Sequence, residues 1–408
     1  MLLRILILII LLLIVPDLYI YWVYIRNWTK KWWLRLLWFL PLIAIAVAAA
    51  VIIYSNDMRP EHQAWVSIFM YVFLAICAPK ALFMVMDGIG HSINWIVTGG
   101  KKTREGYDCI FVRIFRIMGM ALALFAFALV TFGYFIGRNH YVVHQQTFYF
   151  TDLPKEFDGY RIAQFSDMHI GTMRDGHEAD VRKIVDLINA QHCDAILFAG
   201  DLVNHQSTEL DGFRHDLNKL HAPDGVYAVM GNHDYSMYLR YANEDERAAD
   251  VQELQQRIRS YGWDLLLNEH RVIRRGKDSL IIAGVENDGR PPFPARGDLP
   301  KTMKGLKRNC FTVLLSHDPT HWRRNIIPQT NIQLTLSGHT HAGQFKVFGW
   351  SPVAHVYREW SGAYSEGNQI LNVSDGIGAV MFPFRFGAWP EVNVITLRRA
   401  SSNNPQKH

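Results

Sequence analysis

The first 136 residues are dominated by apolar runs that leave room for little except membrane-crossing helices. Leu36 to Tyr54 and Trp65 to Met86 each approach the ~20 residues a helix needs to cross a bilayer, and Ile114 to Ile136 is a third such run. These segments lack a polar face, which argues against buried helices of a soluble bundle. An earlier stretch, Leu2 to Ile25, is long enough but broken by Pro16 and Asp17. With no small-residue cleavage site after Leu2 to Val15, it reads as a retained span. Lys80, following Pro79, interrupts the second run and reads as a snorkelling side chain or an early helix end.

The connecting loops give an orientation. Residues 26–35 carry Arg26, Lys30, Lys31 and Arg35, and residues 87–113 carry Lys101, Lys102, Arg104 and Arg113. The loop 55–64 carries only Arg59, beside Asp57 and Glu61. Basic loops stay in the cytoplasm. The chain after about Arg138 is therefore expected on the outer face of a multi-pass cell-membrane protein. Trp28, Trp32, Trp33 and Trp38 flank the first loop as interfacial anchors do.

Mean hydropathy is zero only because a second, ordinary soluble region balances the first. The expected division is a helical membrane region over 1–138, a soluble domain over 139–398 and a disordered tail over 399–408. A net charge of +5 without a basic stripe argues against nucleic-acid binding. Cys77, Cys109, Cys193 and Cys310 show no pairing pattern and read as free thiols.

From Tyr160 onward, short apolar strands alternate with helical patterns such as Glu178 to Ala190 and Arg247 to Ser260, which predicts an α/β architecture. Strands are predicted at Arg161–Ser166, Ala195–Ala199, Val226–Met230, Leu280–Val285, Phe311–Ser316, Ile332–Ser337, Gln369–Val373 and Val392–Leu397. Five of them run straight into metal-competent side chains. Asp167 and His169 follow the first, Asp201 the second, Asn232 the third, His317 the fifth, and His339 and His341 the sixth. Open α/β folds gather ligands at the carboxyl ends of strands. One such coincidence is ordinary; five are hard to ascribe to packing.

Two carboxylates, one amide and four imidazoles favour Mn, Fe or Zn over calcium. The absence of thiolate argues against a closed structural zinc site. Seven ligands exceed one tetrahedral ion and suit two ions sharing a carboxylate. Such a pair can activate water and clamp the oxygens of an in-line phosphoryl displacement.

The motifs D-x-H (167–169), GD (200–201), GNHD (231–234), SH (316–317) and GHTH (338–341) resemble, in order, the calcineurin-like metallophosphoesterases. The segments LPKEFDGYRIAQFSDMHIG and SDGIGAVMFPFRFGAWPEVNVITL are similar to the membrane-associated bacterial YkuE-like branch. The resemblance implies a two-sheet sandwich flanked by helices, and two divalent ions. It assigns one ion to Asp167, His169, Asp201 and His341, and the other to Asp201, Asn232, His317 and His339. It makes His233 the group that meets the phosphate or protonates the leaving oxygen. Relatives often carry aspartate where Asn204 stands, positioned to orient that histidine, and an amide cannot stabilise an imidazolium as a carboxylate does.

Asp234 is expected to support a ligand histidine. His205 and Arg385 are candidate substrate contacts, while His321, Arg323 and Arg324 read as a solvated helix face. The expected activity is hydrolysis of phosphomonoesters or phosphodiesters, with lipid-linked substrates attractive because the site is tethered to the bilayer. Alternatives are hydrolysis of nucleotide or nucleotide-sugar lipid pyrophosphates, or a sensor or scaffold that binds metal without turnover. Oligomeric state is not readable from the sequence.

Overall fold

The computed structural model describes residues 2–55, 60–100, 110–174, 176–307 and 309–400. Cys109, the loop residues Asp57, Arg59, Lys101, Lys102 and Arg104, and the tail from 401 lie outside them. The chain divides into two compact units. One comprises residues 1–57 and 65–135; the other comprises 58–64 and 136–408.

The first unit is helical. Among the described residues, three helices are long and apolar enough to cross a membrane, within Trp32–Tyr54, His62–Val97 and Ile110–Asn139. The N-terminal stretch also forms a helix, Leu2–Ile20, that passes through Pro16 and continues by a π-helical turn, Tyr21–Ile25, to Trp28. The Pro60–Val97 helix is longer than its apolar run, so residues 87–97, expected in a loop, are helical.

Lys80 corrects the sequence reading. It neither ends the helix nor reaches for the interface: its Nζ lies 2.7 and 3.0 Å from the carboxylate oxygens of buried Asp17. A second acid nearby, Asp87, is fully buried and accepts from Tyr19 Oη at 2.7 Å and Arg116 Nε at 3.3 Å. Charges in a bilayer are retained where they find partners inside the bundle. The two features that seemed to break the apolar pattern, Asp17 and Lys80, neutralise each other.

The second unit holds two mixed six-stranded sheets. Its strands are β1 (Val142–Phe150), β2 (Arg161–Phe165), β3 (Ala195–Phe198), β4 (Val226–Ala228), β5 (Asp264–Leu265) and β6 (Glu269–Arg275). They continue with β7 (Asp278–Gly284), β8 (Thr312–Leu315), β9 (Leu334–Ser337), β10 (Gly362–Glu366), β11 (Gln369–Val373) and β12 (Glu391–Arg399). One sheet runs β1-β12-β2-β3-β4-β5 and the other β10-β11-β9-β8-β7-β6.

Alternation along the strands sorts side chains between three apolar cores. Ile162, Leu197, Val313, Leu315 and Leu334 share one cluster with residues of both sheets. Ala163, Ile196 and Phe198 face the opposite way, onto Ile184 and Ile188 of the Glu178–Asn189 helix and Leu254 and Ile258 of the Glu244–Ser260 helix. Ile281, Ala283, Leu314 and Leu371 pack on Trp322 and Ile326 beyond the other sheet. Because both faces are covered, these strands read as continuous apolar runs.

The Glu244–Ser260 helix starts three residues before the sequence expectation. Asn243 caps it by accepting from Glu246 N at 2.8 Å, with three acids in the first turn and Arg257 and Arg259 in the last. β1 and β10, which the periodicity did not reveal, lie at sheet edges, and few of their residues are buried.

Candidate metal centre

β2, β3 and β4 are neighbouring parallel strands of one sheet, and β8 and β9 are neighbouring parallel strands of the other. The loop after each carries one of the five motifs, and the side chains expected as ligands converge. Asp167, His169 and His341 bring ligand atoms within 4.8 Å of one another; so do Asp201, His317 and His339, and so do His169, Asp201 and His233. Asp201 thus belongs to two of these groups, with His169 and His233 in one and His317 and His339 in the other. Asn232 joins through its side-chain oxygen, 2.7 Å from His339 Nδ1.

The backbone is held in a form that side chains rarely adopt. Asp167, His169, Asp201, His339 and His341 all have φ between 44° and 76°. Non-glycine residues in this region are uncommon and concentrate at functional sites, where the surroundings over-determine them. The motif glycines have a steric reason. A Cβ at Gly231 would overlap the Asp201 carboxylate, and one at Gly338 would overlap that of Asp167.

Asp234 supports the loop in a way different from expectation. Its carboxylate accepts from the backbone N–H groups of Asp201, Gly231, Leu202 and Val203, at 2.8 to 3.2 Å, and not from a ligand imidazole. It fixes the main chain that carries Asp201. Glu209, also buried, accepts from the N–H groups of Asn204 and His205 at 2.7 and 2.8 Å.

The donor atoms fit divalent cations. His317 Nδ1 lies 2.7 Å from the carbonyl of Ala199, so this nitrogen carries a proton, and its buried Nε2 points at Asp201 Oδ2, 3.1 Å away. His169 Nε2 and His341 Nε2 face each other at 3.0 Å inside the protein. Two such lone pairs repel unless a proton or cation lies between them. Burial drives His169 and His341 well below the ordinary imidazole range and His339 down to about 4, so these rings are neutral, as ligation requires.

His317 behaves otherwise. Burial disfavours its charged ring, but Asp201, 3.1 Å away, outweighs this and raises it to about 10. Burial alone would raise Asp201, yet His317 and His233 hold it below the usual carboxylate range. Asp167 is raised to about 6 by burial.

His233 sits at the edge of the cluster, partly exposed. Its ring meets His169 edge-on at 4.8 Å and lies over Tyr238 at 4.3 Å. Its Nδ1 is 2.7 Å from the main-chain oxygen of Asn204. The Asn204 side chain turns elsewhere, donating to His169 O at 3.3 Å. The amide is therefore not the orienting group, and the backbone carbonyl takes that place. His205 is buried, its Nδ1 has no partner, and burial lowers it to about 4.

Arg385 does not face the opening. It is fully buried, and its guanidinium donates to the carbonyls of Gly378, Asp375, Ala388 and His341, with Nη2 3.1 Å from His341 Nδ1. Nor is the His321 segment a solvated face. His321 is buried with its Nδ1 2.8 Å from Ser316 Oγ, while Arg323 pairs with Glu359 and Arg324 with Asp288.

Three residues beside the ligands escaped the sequence reading. Tyr238 Oη accepts from Asn232 Nδ2 at 2.8 Å, Tyr357 Oη lies 2.9 Å from His339 Nε2, and buried Asp318 lies 3.7 Å from the same nitrogen. Only Asp318, next to His317, had a positional hint. Tyr357 comes 18 residues after its partner and has none.

Strand-end carboxylates and imidazoles in a two-sheet α/β unit define a metal-dependent phosphoesterase, a hydrolase class. Residues 160–343 match the model of the calcineurin-like phosphoesterases, and residues 3–138 match that of the probable calcineurin-like phosphoesterase transmembrane domain. The chain thus carries a calcineurin-like phosphoesterase domain behind an N-terminal transmembrane phosphoesterase domain, and it is a homologue of YkuE-like metallophosphoesterases. It is 29% identical over 263 residues to the metallophosphoesterase YkuE of Bacillus subtilis, covering 60% of this chain and 82% of that one. It is 26% identical over 373 residues to a Helicobacter pylori metallophosphoesterase, covering 88% and 89%. A Danio rerio transmembrane protein with metallophosphoesterase domain is 25% identical over 352 residues, covering 84% and 76%. The chain is membrane-associated through its apolar helices, and its family uses divalent metals.

Proposed function

We propose that the protein hydrolyses phosphomonoesters or phosphodiesters at a dinuclear centre on the outer face of the membrane. Asp167, His169, Asp201 and His341 would hold one ion. Asp201, Asn232, His317 and His339 would hold the other, with Asp201 shared. The observation that carries this reading is that Asp201 Oδ2 lies within reach of a histidine of each set, 3.8 Å from His169 Nε2 and 3.1 Å from His317 Nε2. Bound there, a pair of Mn, Fe or Zn ions supplies Lewis acidity, acidifying the attacking water and neutralising charge on the phosphoryl oxygens.

The chain's own groups do the rest. Asn204 O fixes the His233 Nδ1 proton, which leaves Nε2 as the nitrogen that exchanges a proton with the leaving oxygen. Asp234 and Glu209 hold the loops that carry Asp201 and Asn204 against four and two backbone N–H groups. The ring of Tyr238 limits the freedom of His233 on its open side. His205, buried beside His233, is the candidate for a second contact to substrate. The outer placement follows from the basic loops on the opposite side.

Full-length protein in detergent, given Mn and bis(4-nitrophenyl) phosphate, should turn over and contain two metal ions per chain by elemental analysis. Asp201→Asn should lose both properties. If wild type and variant are equally inert across Mn, Fe and Zn, a metal-binding sensor or scaffold replaces the enzyme. A reporter fused after His408 tests orientation: activity of a cytoplasm-only reporter would reverse the outer placement.

A further inference from the structure

The segment after the last ligand motif leaves the metal centre and returns to it. It begins in the His341–Gln344 turn and ends at Tyr357, against His339. In between it carries apolar side chains outward. Phe348 is fully exposed, Trp350 half exposed and Val356 70% exposed. Phe348 and Gly349 are the two central residues of a tight turn closed by hydrogen bonds between Val347 and Trp350, with φ of 49° and 77°. A bulky residue pays a conformational penalty in this region, and no packing of the ring accounts for it.

A second loop is built the same way. Met381 has φ 56° and is 57% exposed. The two loops are tied together. Lys346 N donates to Phe386 O at 2.8 Å and Phe386 N to Gln344 O at 3.1 Å. The Gln344 side chain holds Val380 N at 2.8 Å and Phe382 O at 3.1 Å.

These loops are fixed on residues 136–140, the stretch that directly follows the Ile110–Phe135 helix. Ile136 is exposed, as a lipid-facing side chain is. Gly137 lies so close to the carbonyl of Arg385 that a Cβ would overlap it. Arg138 Nη2 donates to Thr172 O at 2.7 Å, three residues beyond His169. The His140 ring packs on Trp389 at 4.9 Å, and Trp389 meets Phe386 at 6.0 Å. Residues 136–140, which open the second unit directly after the Ile110–Phe135 helix, thus share one packed neighbourhood with both apolar-tipped loops and with the His169 loop. Exposed aromatics on loops tied to the residues that directly follow a span suit the headgroup layer.

We propose that Phe348, Trp350, Val356 and Met381 enter the headgroup layer of the protein's own membrane and that the metal centre takes its phosphate from a lipid of that leaflet. Insertion stands on the loops alone; the lipid substrate rests on the phosphoesterase reading above.

The test uses full-length protein with its native cysteines replaced, reconstituted into phosphatidylglycerol–phosphatidylethanolamine vesicles. Phe348→Cys, Met381→Cys and, as control, Val272→Cys on the exposed side of β6 each carry an environment-sensitive dye. Quenchers placed near the headgroup of spin-labelled lipids should dim the dyes at 348 and 381 and spare that at 272. Equal quenching at all three positions overturns insertion. So does a disulfide between copies through Cys at 348 without lipid quenching, which would make the tips a contact between copies.

Phe348→Ser/Met381→Ser should lower the rate on vesicle phospholipid relative to that on bis(4-nitrophenyl) phosphate about tenfold. An unchanged ratio overturns the lipid substrate. Loss of turnover on both substrates in the wild type would sink the phosphoesterase reading instead, and leave the quenching result to decide insertion.

Discussion

His233 Nδ1 donates to the main-chain carbonyl of Asn204 across 2.7 Å. A carbonyl only accepts, so the tautomer of His233 is set by backbone, whatever side chain position 204 carries. Asn204→Ala should therefore leave the dependence of kcat on the leaving group as in wild type, while the lost donor to His169 O lowers thermal stability. His233→Ala should lose about 10²–10⁴ in kcat. The loss should be largest for esters with poorly acidic leaving alcohols, because those need the proton most. A kcat series over leaving groups checks this; a large effect at position 204 with none at 233 would contradict it.

The His317–Asp201 pair predicts how the protein stripped of metal responds to pH. The folded-state pKa of His317 is raised from 6.5 to about 10, chiefly by Asp201 against the opposing effect of burial. Its stabilising contribution is then complete below about pH 6.5 and is lost as pH rises through about 10. Chelator-treated protein should show a Tm falling across that window. The metal-loaded form should not share the decline from this group, because the ion replaces the proton. Metal uptake near pH 7.5 should release about one proton from this ring, read by calorimetry in buffers of different ionisation heat. No buffer dependence would argue that His317 is already neutral.

Gly338→Ala places a methyl group on the Asp167 carboxylate. β9, which precedes this glycine, and its neighbour β8 are buried throughout. Circular dichroism should stay near wild type while metal content drops toward one ion per chain or fewer. Full metal occupancy in this variant would show that the Asp167 loop can shift at little cost.

In the helical unit, Lys80→Met leaves Asp17 buried without its partner. Breaking a buried pair from one side costs about 3–5 kcal/mol, and replacing both members by apolar residues is often neutral. The single variant should aggregate at lower temperature in detergent, and Asp17→Leu/Lys80→Met should recover most of the loss. If the double variant is as unstable as the single one, the pair is not the unit that matters.

Much of the metal centre was legible because its chemistry is local. Each ligand follows directly on an apolar run, and Gly231 and Gly338 mark the places where backbone must touch a carboxylate. The partners of those ligands were less legible. Asp234 was expected beside a histidine, but four nearby N–H groups compete for it more closely. Arg385 looked available to substrate because it stands among aromatics, whereas chain reversal around it presents a cage of carbonyls. β1 escaped notice because its pairing partner, β12, lies about 250 residues away and its own side chains are half solvated.

Sequence alone determined three apolar spans, the α/β alternation and the seven metal-competent side chains, because hydrophobic periodicity and strand-end ligands are short-range signals. Tertiary structure alone decided that Lys80 finds Asp17, that Asn204 serves His233 through its main chain, and that Arg385 is a buried support. These are contacts between residues 63, 29 and 44 positions apart. Over such separations pairing is chosen by the geometry of the packed sheets and helices, and no local pattern carries it.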